Sequence, residues 1–289
     1  MNQAALESER PGSESAIARR IATCAIRSLH AELRLYPKPG LVSLHDSGAH
    51  ADMNAGTFLR SMFALRRYFH DIAKAGYRGV AFSELRRLGM AAETRMLRAT
   101  GDVNTHRGAI FALGLLAAAA GRSLARSNQL SDPALVNAVL AWRRDLLAHR
   151  LDTHVAASHG RWVAARYGVK GARGEAIDAF PGVFAVGLPA LRYAVEQGAG
   201  ITEAQVHTFF TLLAKTEDTN VLYRGGVSAL DWIRSEAAAF LACGSVFADG
   251  WLVRARAIHI RCCELQLSPG GCADLFSGCW FVHQLQLHV

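Results

Sequence analysis

The chain has 289 residues, 51% of them hydrophobic and 19% charged, with a formal net charge of +8. That is enough apolar material for one sizeable core, and the basic balance suits an anionic partner such as a phosphorylated small molecule. The positive residues come as scattered pairs (Arg19-Arg20, Arg66-Arg67, Arg86-Arg87, Arg143-Arg144), with no helix-turn-helix, zinc-finger or aromatic RNA-binding signature, so nucleic acid is not the expected partner.

Residues 1–15 are polar and acidic, without the apolar core of a signal peptide, and read as a disordered tail. From there to residue 289 the pattern is helical. Ile17, Ile21, Ala25 and Leu29 share one face of a helix over 15–35. A second helix over 53–75 carries Phe58, Met62, Leu65, Phe69 and Ile72 on one face, and a third covers 82–99. The fourth, 105–120, has Asn104 or Asp102 as candidate N-cap and includes the longest apolar run, 108–121. At 14 residues that run is too short to span a bilayer and reads as a buried helix, so no membrane partner is expected. Pro133 opens a helix over 132–149 from its first turn. Further helices are expected over 154–167, 181–196, 202–215, 227–241, 245–263 and 271–288. No strand precedes a glycine-rich turn, which argues against Rossmann and P-loop folds. The expected fold is all-α: a single domain over 16–289 of about ten to twelve helices, with the active site built from helix-end loops.

Six cysteines include no CxxC pair, and Cys272, Cys279 and His283 match no usual zinc spacing. Reduced thiols in a cytoplasmic protein are the expected state.

Five islands of glycine and polar residues interrupt the helices. The first runs from Pro37-Lys38-Pro39-Gly40 to Asp46, His50 and Asp52. Lys38, held on a stiff loop, has the character of a phosphate ligand, or of an exposed lysine in a turn. Asp52 fits either a metal ligand or the N-cap of the helix from Met53. The second island sets Asp102, Asn104, Thr105, His106 and Arg107 before the apolar helix. A helix N-terminus attracts anions through its free amides and dipole, and Arg107 adds a cation. The third is Ser158-His159-Gly160 with Arg173 and Glu175 on a glycine loop. In the fourth, Asp218, Asn220 and Arg224 surround a helix break whose Gly225-Gly226 lets backbone amides face a ligand. The fifth is Gly270-Gly271 with Asp274. Together they supply carboxylates at Asp52, Asp102, Glu175, Asp218 and Asp274, the candidate metal ligands. Lys38, Arg107, Arg173 and Arg224 supply the cations. That mixture suits Mg²⁺ with a polyphosphate.

The set PKPGLV (37–42), DSGAH (46–50) with Asp52-Met53, NTHRGAIF (104–111), GARGEA (171–176), DTNVLYRGG (218–226) and GGCADL (270–275) resembles the triphosphoribosyl-dephospho-CoA synthase family, from about residue 20 to the C-terminus. The opening stretch LHAELRLYPKPGLVSLHDSGAHADM looks more like the malonate decarboxylase branch than the citrate lyase branch. The resemblance implies a transferase that moves the 5-triphosphoribosyl group of ATP to the 2′-hydroxyl of 3′-dephospho-CoA and releases adenine. The product would be the precursor of the prosthetic group on the acyl carrier protein of malonate decarboxylase, delivered by a downstream transferase. ATP and 3′-dephospho-CoA are the implied partners, Mg²⁺ the implied cofactor, and a homodimer is compatible with it.

On that reading Asp52, Glu175, Asp218, His106 and His159 are the candidate catalytic residues, with a histidine as proton donor or base. Lys38, Asn104, Arg107, Arg173, Asn220, Arg224, Gly225, Gly226, Gly270 and Gly271 are the candidate substrate contacts. Two other readings compete: a Mg²⁺-dependent hydrolase of ADP-ribosyl or nucleotide N-glycosidic bonds, and a non-catalytic helical protein that binds nucleic acid or a partner.

Overall fold

A computed structural model describes residues 13–150 and 159–289. Among these residues every regular element is a helix: α1 (Glu14–Arg34), α2 (Ala55–Arg78), α3 (Phe82–Thr100), α4 (Arg107–Ser127), α5 (Asp132–Leu140), α6 (Arg143–Arg150), α7 (His159–Tyr167) and α8 (Gly171–Ile177). A π-helical segment (Gly182–Gly187) leads into α9 (Leu188–Glu196), followed by α10 (Ile201–Lys215) and α11 (Thr219–Ala242). A 3₁₀ turn (Ser245–Phe247) precedes α12 (Trp251–Glu264) and α13 (Gly270–His288). The expected disordered tail falls mostly on residues 1–12, outside the described residues.

The core is built around α4, which touches α1, α2, α3, α5, α8 and α13. Its Ala117, Ala118, Ala119 and Ala120 have no exposed surface. Small residues let α2 lie directly on it. A methyl at Gly76 would come within 2.0 Å of the Ala118 carbonyl oxygen, and one at Gly121 within 2.1 Å of the Ala73 oxygen. Tyr68 on α2 donates its hydroxyl to the Ile110 carbonyl of α4 at 2.8 Å, so its one polar atom is satisfied in the core. α4 has 21 residues, longer than its apolar run, and meets the length of a membrane span; 72% of its most apolar stretch is buried in this molecule, in line with the buried-helix reading.

Four local expectations change. The helix over 132–149 breaks at Ala141-Trp142, where the chain turns to bury Trp142 beneath Arg122. The segment over 171–175 is not a loop but the helix α8. The segment over 245–263 divides into the 3₁₀ turn and α12. Finally, α11 starts at Thr219 and runs through Gly225-Gly226, with a kink at Gly226. There φ is 68°, a conformation open to glycine. These changes bring the count among the described residues to thirteen α-helices.

Candidate active site

The N-terminal ends of α4, α8, α11 and α13, together with the loop before α2, enclose a cavity of about 1580 Å³. Asp52, Asn104, Arg107, Arg173, Glu175, Asp218, Asn220, Arg224, Gly270, Gly271 and Asp274 all line it. Four helix N-termini border one volume, and their dipoles favour an anion there.

Asp218 is the joint of this arrangement. It caps α11, with Oδ1 accepting from the Asn220 and Val221 amides at 2.8 and 3.2 Å. Its Oδ2 accepts the Cys272 amide of α13 at 2.8 Å. The residue is 1% exposed, and burial pushes its carboxyl above the usual range even though these amides favour the charged form. With both oxygens engaged, its work is to tie two helix starts together. Gly271 leaves room for that tie, since a Cβ there would sit 2.9 Å from Asp218 Oδ2.

Asp274 is the fifth residue of α13, just past its first turn, pressed against Gly108, where any Cβ would collide with its Oδ2 at 1.8 Å. Burial raises its carboxyl far above the ordinary range, and the neighbouring charges of Glu32 and Asp218 add to the shift. Glu175 on α8 has Oε2 fixed by the Gly182 amide at 3.0 Å. Burial raises its affinity for a proton, the Gly182 bond opposes this, and Asp178 adds to it.

The cations are held at the rim. Arg107 pairs with Glu93 at 2.5 Å and donates its amide to Asn104 Oδ1 at 3.1 Å, although the N-cap position of α4 is held by His106 and by neither Asn104 nor Asp102. Arg224 donates to the carbonyls of Gln266 and Ala49 at 3.0 and 3.4 Å and reaches His50 Nδ1 at 3.3 Å. Asp52 is largely exposed beside His50, at 3.5 Å. It does not cap α2; Asn54 does, in a reciprocal capping box with Thr57.

Several expected residues stand elsewhere. Lys38 has no exposed surface and is not a phosphate ligand here: its ammonium pairs with the Glu32 carboxylate and donates to the Glu32 carbonyl at 2.7 Å. Burial pulls both members toward their neutral forms and their mutual attraction opposes this. His106 is also buried, with Nδ1 at 2.6 Å from Ser61 Oγ and its ring against Phe58, away from the cavity lining. Burial, aided by the Lys38 charge, pulls it down to about 3, so it is a neutral imidazole and not the expected donor. Asp102 is exposed, follows the C-terminal Gly101 of α3 with φ 64°, and does not line the cavity. Gly225 and Gly226 shape the kink of α11 and stay out of the lining. Ser158 and the side chain of His159 lie outside the described residues.

The cavity also holds residues given no role above. His50, within DSGAH, bonds Ser268 Oγ through Nε2 at 2.7 Å. Burial and the Arg224 charge lower its proton affinity, and Asp52 opposes them. Glu93, Lys170, Lys215 and Arg234 line the cavity as well. Glu93 and Arg234 are mid-helix and Lys215 ends α10, so no glycine marks them. Among the described residues no three His, Cys, Asp or Glu side chains cluster closely enough to hold a metal alone.

The family model described as ATP:dephospho-CoA triphosphoribosyl transferase matches residues 18–289. A 2-(5″-triphosphoribosyl)-3′-dephosphocoenzyme-A synthase of Escherichia fergusonii is 36% identical over 96% of this chain and 95% of its own length. A protein of the same name from Klebsiella pneumoniae is 38% identical over 92% and 90%. One from Pectobacterium atrosepticum is 37% identical over 89% and 86%. No solved structure matches. The chain therefore belongs to the ATP:dephospho-CoA triphosphoribosyl transferase family.

Proposed function

We propose that this chain transfers the 5-triphosphoribosyl group of ATP to the 2′-hydroxyl of 3′-dephospho-CoA and releases adenine. The supporting observation is a single cavity, larger than the roughly 300–1,000 Å³ of a common ligand pocket, that gathers anion-attracting helix ends and desolvated carboxylates. A site with both properties suits two nucleotides and a cationic sugar intermediate.

The bond from ribose C1′ to adenine N9 breaks, its electron pair leaves with adenine, and the acceptor oxygen bonds to C1′. Positive charge develops at C1′ as in glycoside chemistry, and Glu175 and Asp274, whose proton affinity falls beside a cation, stabilise it in their ionised forms. Glu175, with one oxygen fixed by Gly182 and raised proton affinity, takes the proton of the attacking hydroxyl. His50 is the histidine whose side chain lines the cavity among the described residues, and it takes the proton-transfer role expected of a histidine. His50→Gln should lower kcat with ATP binding intact; an unchanged kcat removes it from the mechanism. Arg107, Arg173 and Arg224 hold phosphates at the rim, aided by the amides of α4 and α13.

Mg²⁺ fits this donor set. Of the carboxylates that line the cavity, Glu175 and Asp274 would offer oxygens to the ion, with phosphate oxygens and water completing the coordination. When bound, it would neutralise charge on the retained triphosphate. The product serves as precursor for the acyl carrier protein of malonate decarboxylase, a finer assignment supported by the stretch over 29–53, and the reaction is placed in the cytoplasm, where ATP and CoA precursors are available. Chromatography of a reaction with ATP, Mg²⁺ and dephospho-CoA should show free adenine; ADP or AMP in its place would overturn the assignment.

A further inference from the structure

Gly89 is the glycine of α3 that packing does not explain. Gly76, Gly114 and Gly121 each lie where a Cβ would strike a neighbour at 2.0 to 2.1 Å. At Gly89, in the interior of α3, the nearest atom to an added Cβ is the Tyr68 hydroxyl at 3.7 Å, an ordinary contact. A glycine inside a helix costs about 1 kcal/mol relative to alanine. Here that cost returns no close approach between helices. What it leaves is open space, and that space belongs to the cavity.

The surroundings give its chemistry. Leu85, Gly89 and Met90 of α3 face the cavity together with Ile72 of α2 and Phe111 and Leu115 of α4. None of these side chains carries charge; Arg86 lines the cavity on the same face of α3 but is exposed, as Met90 largely is, so the cation stands at the outer edge of the wall and the buried part is apolar. The wall continues along one face of α3 from Phe82 to Glu93, about 16 Å at 1.5 Å per residue. At the Glu93 end it meets the Glu93–Arg107 pair and the polar floor around Gly108 and Asp274. None of the six cysteines lines the cavity, so a ligand thiol lying there meets no partner for disulfide exchange.

We propose that this face of α3 seats the pantetheine arm of the acceptor, with Gly89 keeping the groove open. The proposal rests on dephospho-CoA being the acceptor. Arg86 can meet a phosphate at the outer edge, but desolvation keeps a triphosphate off the buried part formed by Ile72, Leu85, Phe111 and Leu115. The arm is the long, uncharged, thiol-ended part of either substrate, and it does no chemistry, so a seat leading away from the carboxylates suits it.

The test is calorimetric binding of dephospho-CoA, of ADP (the same nucleotide without the arm) and of Mg²⁺-ATP to the wild-type chain and to Gly89→Leu. The leucine should weaken dephospho-CoA at least tenfold and leave ADP and Mg²⁺-ATP within twofold. Equal weakening of dephospho-CoA and ADP, or no change in either, would overturn the proposal. Gly89→Ala covers the case in which leucine misfolds: it should melt no lower than wild type and still weaken dephospho-CoA at least threefold over ADP. No loss of dephospho-CoA affinity in that variant also overturns it. Should wild-type protein bind no dephospho-CoA, the functional reading itself fails, an outcome distinct from these.

Discussion

The Asp218 carboxylate accepts the Cys272 amide at 2.8 Å across 54 positions of sequence, while its other oxygen caps its own helix. One buried side chain thereby sets the angle between the starts of α11 and α13. Its removal orphans three amides. A lost cap costs about 0.5–2 kcal/mol and a hydrogen bond to a charged group about 1.5–3 kcal/mol. Asp218→Ala should therefore destabilise the fold by about 2–4 kcal/mol in urea titration and abolish turnover. A variant with wild-type stability and no activity would make Asp218 a direct participant in the chemistry instead.

The buried Glu32–Lys38 pair makes a different prediction from a phosphate-binding lysine. Breaking a buried pair on one side leaves the other charge stranded, at about 3–5 kcal/mol. Lys38→Met should lose stability on that scale, and Glu32→Leu added to it should recover much of the loss, as a double-mutant cycle measures. A Lys38→Met protein that folds normally and loses only ATP affinity would restore the phosphate role.

Glu175 sets the acid side of the rate profile. Its carboxyl holds its proton to a higher pH than an ordinary glutamate, and only the deprotonated form accepts a proton from the acceptor hydroxyl. The rate should fall as pH drops through that raised value, and Glu175→Gln should lower kcat by about 100-fold or more with KM little changed, the scale of a lost general base. An unshifted acid limb in Glu175→Gln would exclude it as the base.

His106 should leave a mark on stability rather than on rate. Its folded value, about 3, lies below the unfolded value near 6.5, so the unfolded chain binds the proton more tightly. Stability is full above about pH 6.5 and declines as pH falls toward 3, by about 1.4 kcal/mol per pH unit at most. His106→Asn should remove that slope from denaturation curves taken between pH 6.5 and 4. Equal slopes in both proteins would place the imidazole in solvent.

Glycine-flanked polar islands let the sequence predict one shared site, because a helix end near a ligand needs both close backbone approach and charge. Arg107, Arg173, Glu175, Asn220 and Asp274 do share one cavity. Lys38 was misread because Glu32, its partner, sits six residues earlier at the end of a helix, where a glutamate resembles a solvated one. The helix over 171–177 was hidden by its two glycines; it holds because Gly174 packs over Lys170, where a Cβ would meet that side chain at 2.2 Å. The break at Trp142 was invisible because amphipathic spacing continues across it. Glu93 and Gly89 carry no local signal at all: their place comes from how α3 lies against α4.

The central claim is that ribose and triphosphate move together while the base departs. ATP labelled in both the ribose and the γ-phosphate, incubated with Mg²⁺ and dephospho-CoA, tests it by mass spectrometry of all products. The account predicts one acceptor-linked product carrying both labels, an equal amount of unlabelled adenine, and no adenine when dephospho-CoA is omitted. Separation of the two labels into different products, or adenine release without the acceptor, would contradict it.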